Sequence, residues 1–269
     1  MIGTINPQNA EREAASLAGP IAAGEVRALW RRLTPTDPDT VDPVAIDTLP
    51  EPAQRWLRHS LTQGAPMARA VVLRITGRIR IGRWLPFRAI QLHAPPHGYL
   101  WVAQAGCGPM SVRGYDGYAD GRGVMRWRLF GRIPVLTAAG PDVDRSAAGR
   151  VALDAFTVPA AWLDPAVRWS AGSDGDSAMA DWIVDGHRMR PEIRVDPNGA
   201  LRSVSMPRWA APDHHPWAEY PCGGLLSDDV KFGGTVLPSV ARAGYFPGTD
   251  QWGSGEFFRA TITDAQFLC

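Results

Sequence analysis

Lysine is almost missing from this chain: Lys231 stands alone among 28 basic residues, and all the others are arginine. A GC-rich coding sequence explains such a bias, and arginine faces that shield a sheet add to it, so the bias marks no site. Cysteine is sparse as well. Cys107, Cys222 and Cys269 are odd in number and widely spaced, which excludes a disulfide framework and the ligand spacing of a zinc site. Free thiols of this kind predict a reducing, cytoplasmic setting. Long apolar runs are lacking. The most apolar early stretch, residues 14–23, is broken by Gly19 and Pro20 and runs into Glu25 and Arg27. It falls far short of the roughly 20 residues a membrane span needs, and no charged and apolar leader pattern precedes it. An excess of one charge is lacking too. The net charge of +1 over 269 residues predicts no bulk attraction to nucleic acid or an anionic membrane. There is no Gly-x-x-x-x-Gly-Lys phosphate loop and no His-Glu-x-x-His pair. No cofactor and no metal are therefore expected.

The chain does have the makings of a core: 45% of residues are apolar and 20% are charged, the balance of a globular protein. Residues 9–33 read as helix in two pieces divided at Pro20. Val26, Leu29, Trp30 and Leu33 fall at helical spacing, an amphipathic face that suits either packing or a protein partner. Residues 34–50 are rich in Pro, Asp and Thr and read as a linker. A short helix is expected at 53–61, with Pro52 in its first turn. The expected organisation is a helical segment and linker over 1–48 and a β domain over 49–269.

From Arg69 the period changes to two. Val71, Leu73, Ile75, Ile79 and Ile81 alternate with Arg74, Thr76, Arg78 and Arg80. This predicts an antiparallel strand covered on one side only. Further strands are expected at 87–94, 99–104, 110–118, 124–130, 179–184, 187–195, 200–209, 229–232, 240–246 and 256–262. A helix is expected at 144–156, sharing Ala147, Val151, Ala152 and Ala155 on one face. The fold class is thus mainly β: a strongly curved antiparallel sheet, or half-open barrel, of about ten strands with plugging helices.

Several stretches carry a resemblance as a set. They are Leu49-Pro50-Glu51-Pro52-Ala53-Gln54-Arg55-Trp56-Leu57-Arg58, Trp84-Leu85-Pro86-Phe87, the run from Asp116 to Gly123, residues 159–169, and a weaker tail from Val236 to Thr263. With these the chain resembles a bacterial family of unknown function common in actinobacteria. That family is similar to the lipoprotein-carrier fold (LolA/LolB-like), whose concave face cups a lipid or a plug helix. The resemblance implies a half-open cup and supplies no catalytic residues. Many members start with a membrane helix, whereas this chain starts with residues 1–47. The stretch 209–222 also departs from the family pattern.

Eleven tryptophans stand against 8 Phe and 5 Tyr. Trp combines a large apolar body with an N–H donor, so a Trp-rich concave face suits an amphipathic ligand. Trp101, Met125, Trp127, Trp162, Trp169 and Trp217 are the candidate ligand-binding residues, with core filling as the alternative for each. Asp116, Tyr118 and Asp120 share a strand face and could serve acid/base chemistry, although Asp120-Gly121-Arg122-Gly123 is also turn chemistry. Asp213-His214-His215 is the densest titratable cluster, in a Pro-rich loop. His214, Asp116 and Tyr220 are the candidate catalytic residues. The expected function is binding of a hydrophobic small molecule in the cup. An acid/base enzyme such as a cyclase, isomerase or hydrolase acting on a hydrophobic metabolite is the alternative.

Overall fold

The computed structural model describes residues 7–36, 42–108, 111–212 and 215–269. Its frame is one antiparallel sheet of fourteen strands that does not close. The first wing is a meander: β1 (Ala70–Ile81), β2 (Arg83–Ala94), β3 (Gly98–Ala105), β4 (Val112–Ala119), β5 (Arg122–Leu129) and β6 (Ile133–Ala139). The second wing runs from β7 (Arg168–Ala171) through β8 (Ser177–Val184), β9 (His187–Met189), β10 (Glu192–Val195), β11 (Leu201–Ala210), β12 (Ala218–Phe232) and β13 (Thr235–Tyr245) to β14 (Glu256–Leu268). The wings join where β1 pairs with β14; β6 and β7 are the outer edges, and β9 pairs only with β8.

Fourteen strands replace the ten or so expected. β6 carries Pro134 and is exposed nearly throughout, so it shows no alternation; an edge strand tolerates both. The run 187–195 divides into β9 and β10. The expected strand at 229–232 is only the end of the fifteen-residue β12, whose first half carries Pro221, Gly223 and Gly224, residues that weaken a strand pattern.

The expectation of one solvated face also needs correction. Val71, Leu73 and Ile75 face the concave core, but Ala70 and Val72 of the same strand are buried in a second cluster with Ile90, Leu92, Leu100, Val102 and Tyr115. Helices α1 (Pro7–Ala18) and α2 (Ala23–Leu33) cover that convex face with Ala14, Leu17, Val26, Trp30 and Leu33. Only the far half of β1 has the solvated arginine side. The helices are therefore not all plugs. α3 (Glu51–Ser60) packs on β8, β10 and β13 and puts Ala53, Trp56 and Leu57 into the concave core, and α4 (Pro141–Asp154) lies along the same face, touching β3–β5 of one wing and β8, β9 and β11 of the other. The sheet must curl around α4 to make those contacts. The β4–β5 turn meets the β8–β9 turn, where a Cβ on Gly121 would stand 3.7 Å from Cβ of Asp185. A one-turn helix, α5 (Trp252–Gly255), precedes β14.

The seam between the wings is close-packed. Gly77 of β1 faces Ala260 of β14, and a Cβ on Gly77 would fall 2.0 Å from the Arg259 carbonyl oxygen. Gly77→Ala is expected to cost about 2 kcal/mol through forced separation of the strands, read as a lower urea midpoint at unchanged denaturant slope. Among the described residues no helix is long and apolar enough to cross a membrane.

Candidate functional site

The concave face presents two aromatic groups, one on each wing. In the first, Trp101 of β3 lies 5.5 Å from Trp127 of β5 and 5.8 Å from Phe87 of β2, and Phe258 of β14 stacks on Phe87 at 5.0 Å. Met125 packs against the same core. In the second, Trp162 in the 3-10 turn Pro159–Leu163 contacts Trp56 of α3, Trp169 of β7 and Trp182 of β8 at 5.1–5.5 Å. Trp169 donates its ring N–H to the Trp162 carbonyl (3.2 Å). The ring N–H groups of Trp101, Trp162 and Trp182 are buried and have no acceptor. Buried donors are ordinarily paired, so the orphans in each of the two aromatic groups mark where a polar atom is wanted.

α4 lies between these groups. Its apolar contribution is small: Ala147, Ala148, Val151, Ala152 and Leu153. Its polar ties are many. Gly123 of β5 donates its N–H to Asp144 Oδ1 (2.7 Å), and Arg208 of β11 donates to the Ser146 carbonyl (3.1 Å). At the centre, Asp116 of β4 accepts from Trp127 Nε1 on one oxygen (2.8 Å) and from Arg150 Nη1 of α4 on the other (3.1 Å). Burial raises the Asp116 carboxyl above its ordinary range, against the opposing pull of Arg150 and Trp127. The Arg150 guanidinium lies over the rings of Tyr99 and Trp101, at 4.5 and 5.2 Å. It also pairs with Asp154 one turn on (3.2 Å). Burial pushes the Tyr99 phenol up to about 12, so that ring faces Arg150 as a neutral group.

His93 of β2 completes the cluster. It is fully buried, and its Nδ1 meets Thr157 Oγ1 at 2.9 Å. The Thr157 hydroxyl donates to the Asp154 carbonyl (2.9 Å), so His93 Nδ1 carries the proton and Nε2 is a bare acceptor without a donor. Burial, helped by the nearby Arg150 charge and opposed by Asp154, holds the imidazole down at about 4. It is neutral at pH 7.

The candidate residues thus separate. Trp101, Met125, Trp127 and Asp116 come together on the first wing; Trp162 and Trp169 belong to the second. Trp217 stands outside both, 40% exposed before β12. Tyr220 is half-buried on β12, where it donates to the Pro216 carbonyl (3.0 Å) and sits 6.0 Å from His215. Along the sheet β3, β2, β1, β14 and β13 separate it from Asp116. Asp213 and His214 lie outside the described residues. Asp120 is a turn residue at φ 51° and pairs with Arg32 (3.1 Å). Sequence reading missed Arg150, Asp154, Gln91 and His93. Their signal was present: Gln91 and His93 interrupt an otherwise apolar odd-numbered face, and Arg150 and Asp154 stand at i, i+4.

Two grooves of about 370 and 390 Å³ open elsewhere. One, with Arg74, Arg88 and Arg113, lies on the convex face beside α1; the other, with Arg145, Arg208 and Trp209, lies beside α4.

Residues 39–257 match the model of a family of unknown function, DUF6544. The chain belongs to the DUF6544 family. The match covers the sheet almost to its last strand and leaves α1 and α2 outside it. No curated protein matches this DUF6544 chain. Two solved structures resemble it distantly. One is a domain from Vibrio parahaemolyticus described as an outer membrane lipoprotein-sorting protein, at 8% identity and a TM-score of 0.43 over 83% of this chain and 93% of that one. The other is a LolA superfamily protein from Nitrosomonas europaea, at 9% identity and a TM-score of 0.44 over 81% and 92%.

Proposed function

We propose that this protein binds an apolar or amphipathic small molecule against the concave face, in the place that α4 fills. The observation that carries the reading is the mismatch at that face. Trp101 and Trp182, large aromatic side chains with orphaned N–H donors, line the sheet, whereas α4 offers mostly alanine and valine and is tied down by polar contacts. Small side chains bury little apolar area, at about 25 cal/mol per Å². A buried ion pair such as Asp116–Arg150 roughly balances its own desolvation cost. α4 is therefore a cover that a better-fitting apolar body displaces. The ligand's few acceptor atoms would satisfy Trp101 and, on the other wing, Trp162 or Trp182. In this reading the unit that holds the ligand is 49–269, and α1 and α2 of the segment 1–48 cover the opposite face.

An acid/base reading has no comparable support. Both Asp116 oxygens are engaged, and the Tyr220 hydroxyl is committed to the Pro216 carbonyl.

The test is tryptophan quenching by a long-chain fatty acid brominated along its chain. Saturable quenching is expected, and Trp101→Phe/Trp127→Phe should remove a large share of it, because bromine quenches the rings near the bound chain most strongly. Absence of saturable quenching by the brominated chain would sink the proposal.

A further inference from the structure

The total charge of +1 hides a division within the chain. Residues 69–139, which build β1 to β6, hold eleven arginines against Asp116 and Asp120, with no lysine and no glutamate. The other residues hold 17 basic and 25 acidic side chains. One wing of the sheet is strongly cationic and the remainder of the chain is anionic, a separation that the total conceals.

Antiparallel connection puts the β1–β2, β3–β4 and β5–β6 turns at one end of the cationic wing. The β5–β6 turn, Phe130-Gly131-Arg132, is the most unusual of them. Phe130 has φ 57° and Gly131 φ 68°. A bulky aromatic residue in the left-handed region is strained, and such strain persists where the surroundings fix it. Here Phe130 N–H is fixed on the Ser111 carbonyl (3.0 Å). The residue is not buried in exchange: Phe130 is 44% exposed, and Ile133 beyond the turn is 55% exposed. The α1–α2 turn adjoins them, since a Cβ on Gly19 would stand 3.8 Å from the Gly131 carbonyl oxygen. That turn carries Ile21, also 55% exposed. Arg113 flanks the same spot, with its Cδ 3.7 Å from where a Gly131 Cβ would be. Arg132 is in the turn and Arg128 just before it. Arg74, Arg122 and Arg126 of this wing pair with Glu13, Asp144 and Glu25. Among the described residues, no carboxylate pairs with Arg113, Arg128 or Arg132.

We propose that this end of the cationic wing docks on the surface of an anionic lipid bilayer, with Phe130 at the tip of the contact. Protruding Phe and Ile side chains enter the interfacial region, and unpaired arginines beside them reach lipid phosphates. The pairing of the two kinds of side chain selects this partner. A nucleic-acid backbone would use the arginines and leave three apolar side chains against charged phosphates. The wing-to-wing charge separation orients the protein before contact, so binding must weaken with salt. The proposal is independent of what occupies the concave face.

The experiment is co-sedimentation of the full chain with vesicles of phosphatidylcholine alone and of phosphatidylcholine with about 30% phosphatidylserine, whose surface potential attracts basic groups. Binding to the anionic vesicles only, released by 0.5 M salt, is expected, roughly the condition at which the Debye length falls to about 4 Å. Arg128→Gln/Arg132→Gln should weaken it about 25-fold, near fivefold for each arginine. Phe130→Asn should weaken it about tenfold. Asparagine tolerates positive φ, so this variant separates lost docking from lost folding, with an unchanged melting temperature as the control. Equal sedimentation with both vesicles, unaltered binding by the folded variants, or a salt-resistant dimer that Phe130→Asn disperses would each overturn the proposal.

Discussion

Arg150→Met is expected to lower the stability of the fold by about 3–5 kcal/mol, the range for a buried ion pair that loses one partner. Asp116 is 8% exposed, and it would keep only the Trp127 N–H as a partner. The Arg150 guanidinium also leaves the Tyr99 and Trp101 faces and the Asp154 carboxylate. A double variant separates the pair from the space it fills. Asp116→Leu/Arg150→Met removes both charges and keeps the volume, so most of the loss should be recovered. Asp116→Asn alone should fall between, because an amide oxygen still accepts from Trp127. Urea unfolding of the three variants reads the series. Equal losses in the single and double variants would mean that packing, and not the charge left behind, sets the cost.

His93 sets the second large effect, and its sign follows from burial. The unfolded chain takes up the imidazole proton near pH 6.5, and the folded chain only near 4. The folded state binds fewer protons between these values. Stability contributed by neutral His93 is therefore complete above 6.5 and is lost as the pH falls from 6.5 to 4, by about 3 kcal/mol in full. Thermal unfolding of the parent should fall steeply across that window. His93→Asn, which keeps a donor for Thr157 and cannot titrate, should flatten the profile even if it is less stable at pH 7. Parallel profiles for the two proteins would place the acid sensitivity elsewhere.

The sheet was legible in the sequence wherever one face met water and the other met the core. Val71, Leu73 and Ile75 against Arg74 and Thr76 gave β1 its register, and helical spacing in α2 placed Val26, Trp30 and Leu33 on its buried face. Strands buried on both faces lose that contrast, which is why the burial of Leu92, Leu100 and Val102 under α1 and α2 was not foreseen. Edge strands lose it as well, and β6 with its exposed Ile133, Val135 and Leu136 was overlooked. The candidate site was half legible. Trp101, Trp127 and Asp116 do meet, because strand alternation fixes which face each residue takes. The partners on α4 come from the far side of a chain reversal, and nothing in local spacing says that Arg150 reaches Asp116. His93 was hidden by its own neighbours, a polar residue read as part of an apolar strand. The resemblance to a family of unknown function held over residues 39–257.

The central claim, that a ligand takes the place of α4, is most directly tested by amide hydrogen exchange with and without a saturating long-chain fatty acid. The amides of α4, residues 144–154, should exchange about tenfold faster or more in the bound state, while those of β2–β4 keep their protection. Unchanged or slower exchange in α4, with the fatty acid demonstrably bound, would contradict the account.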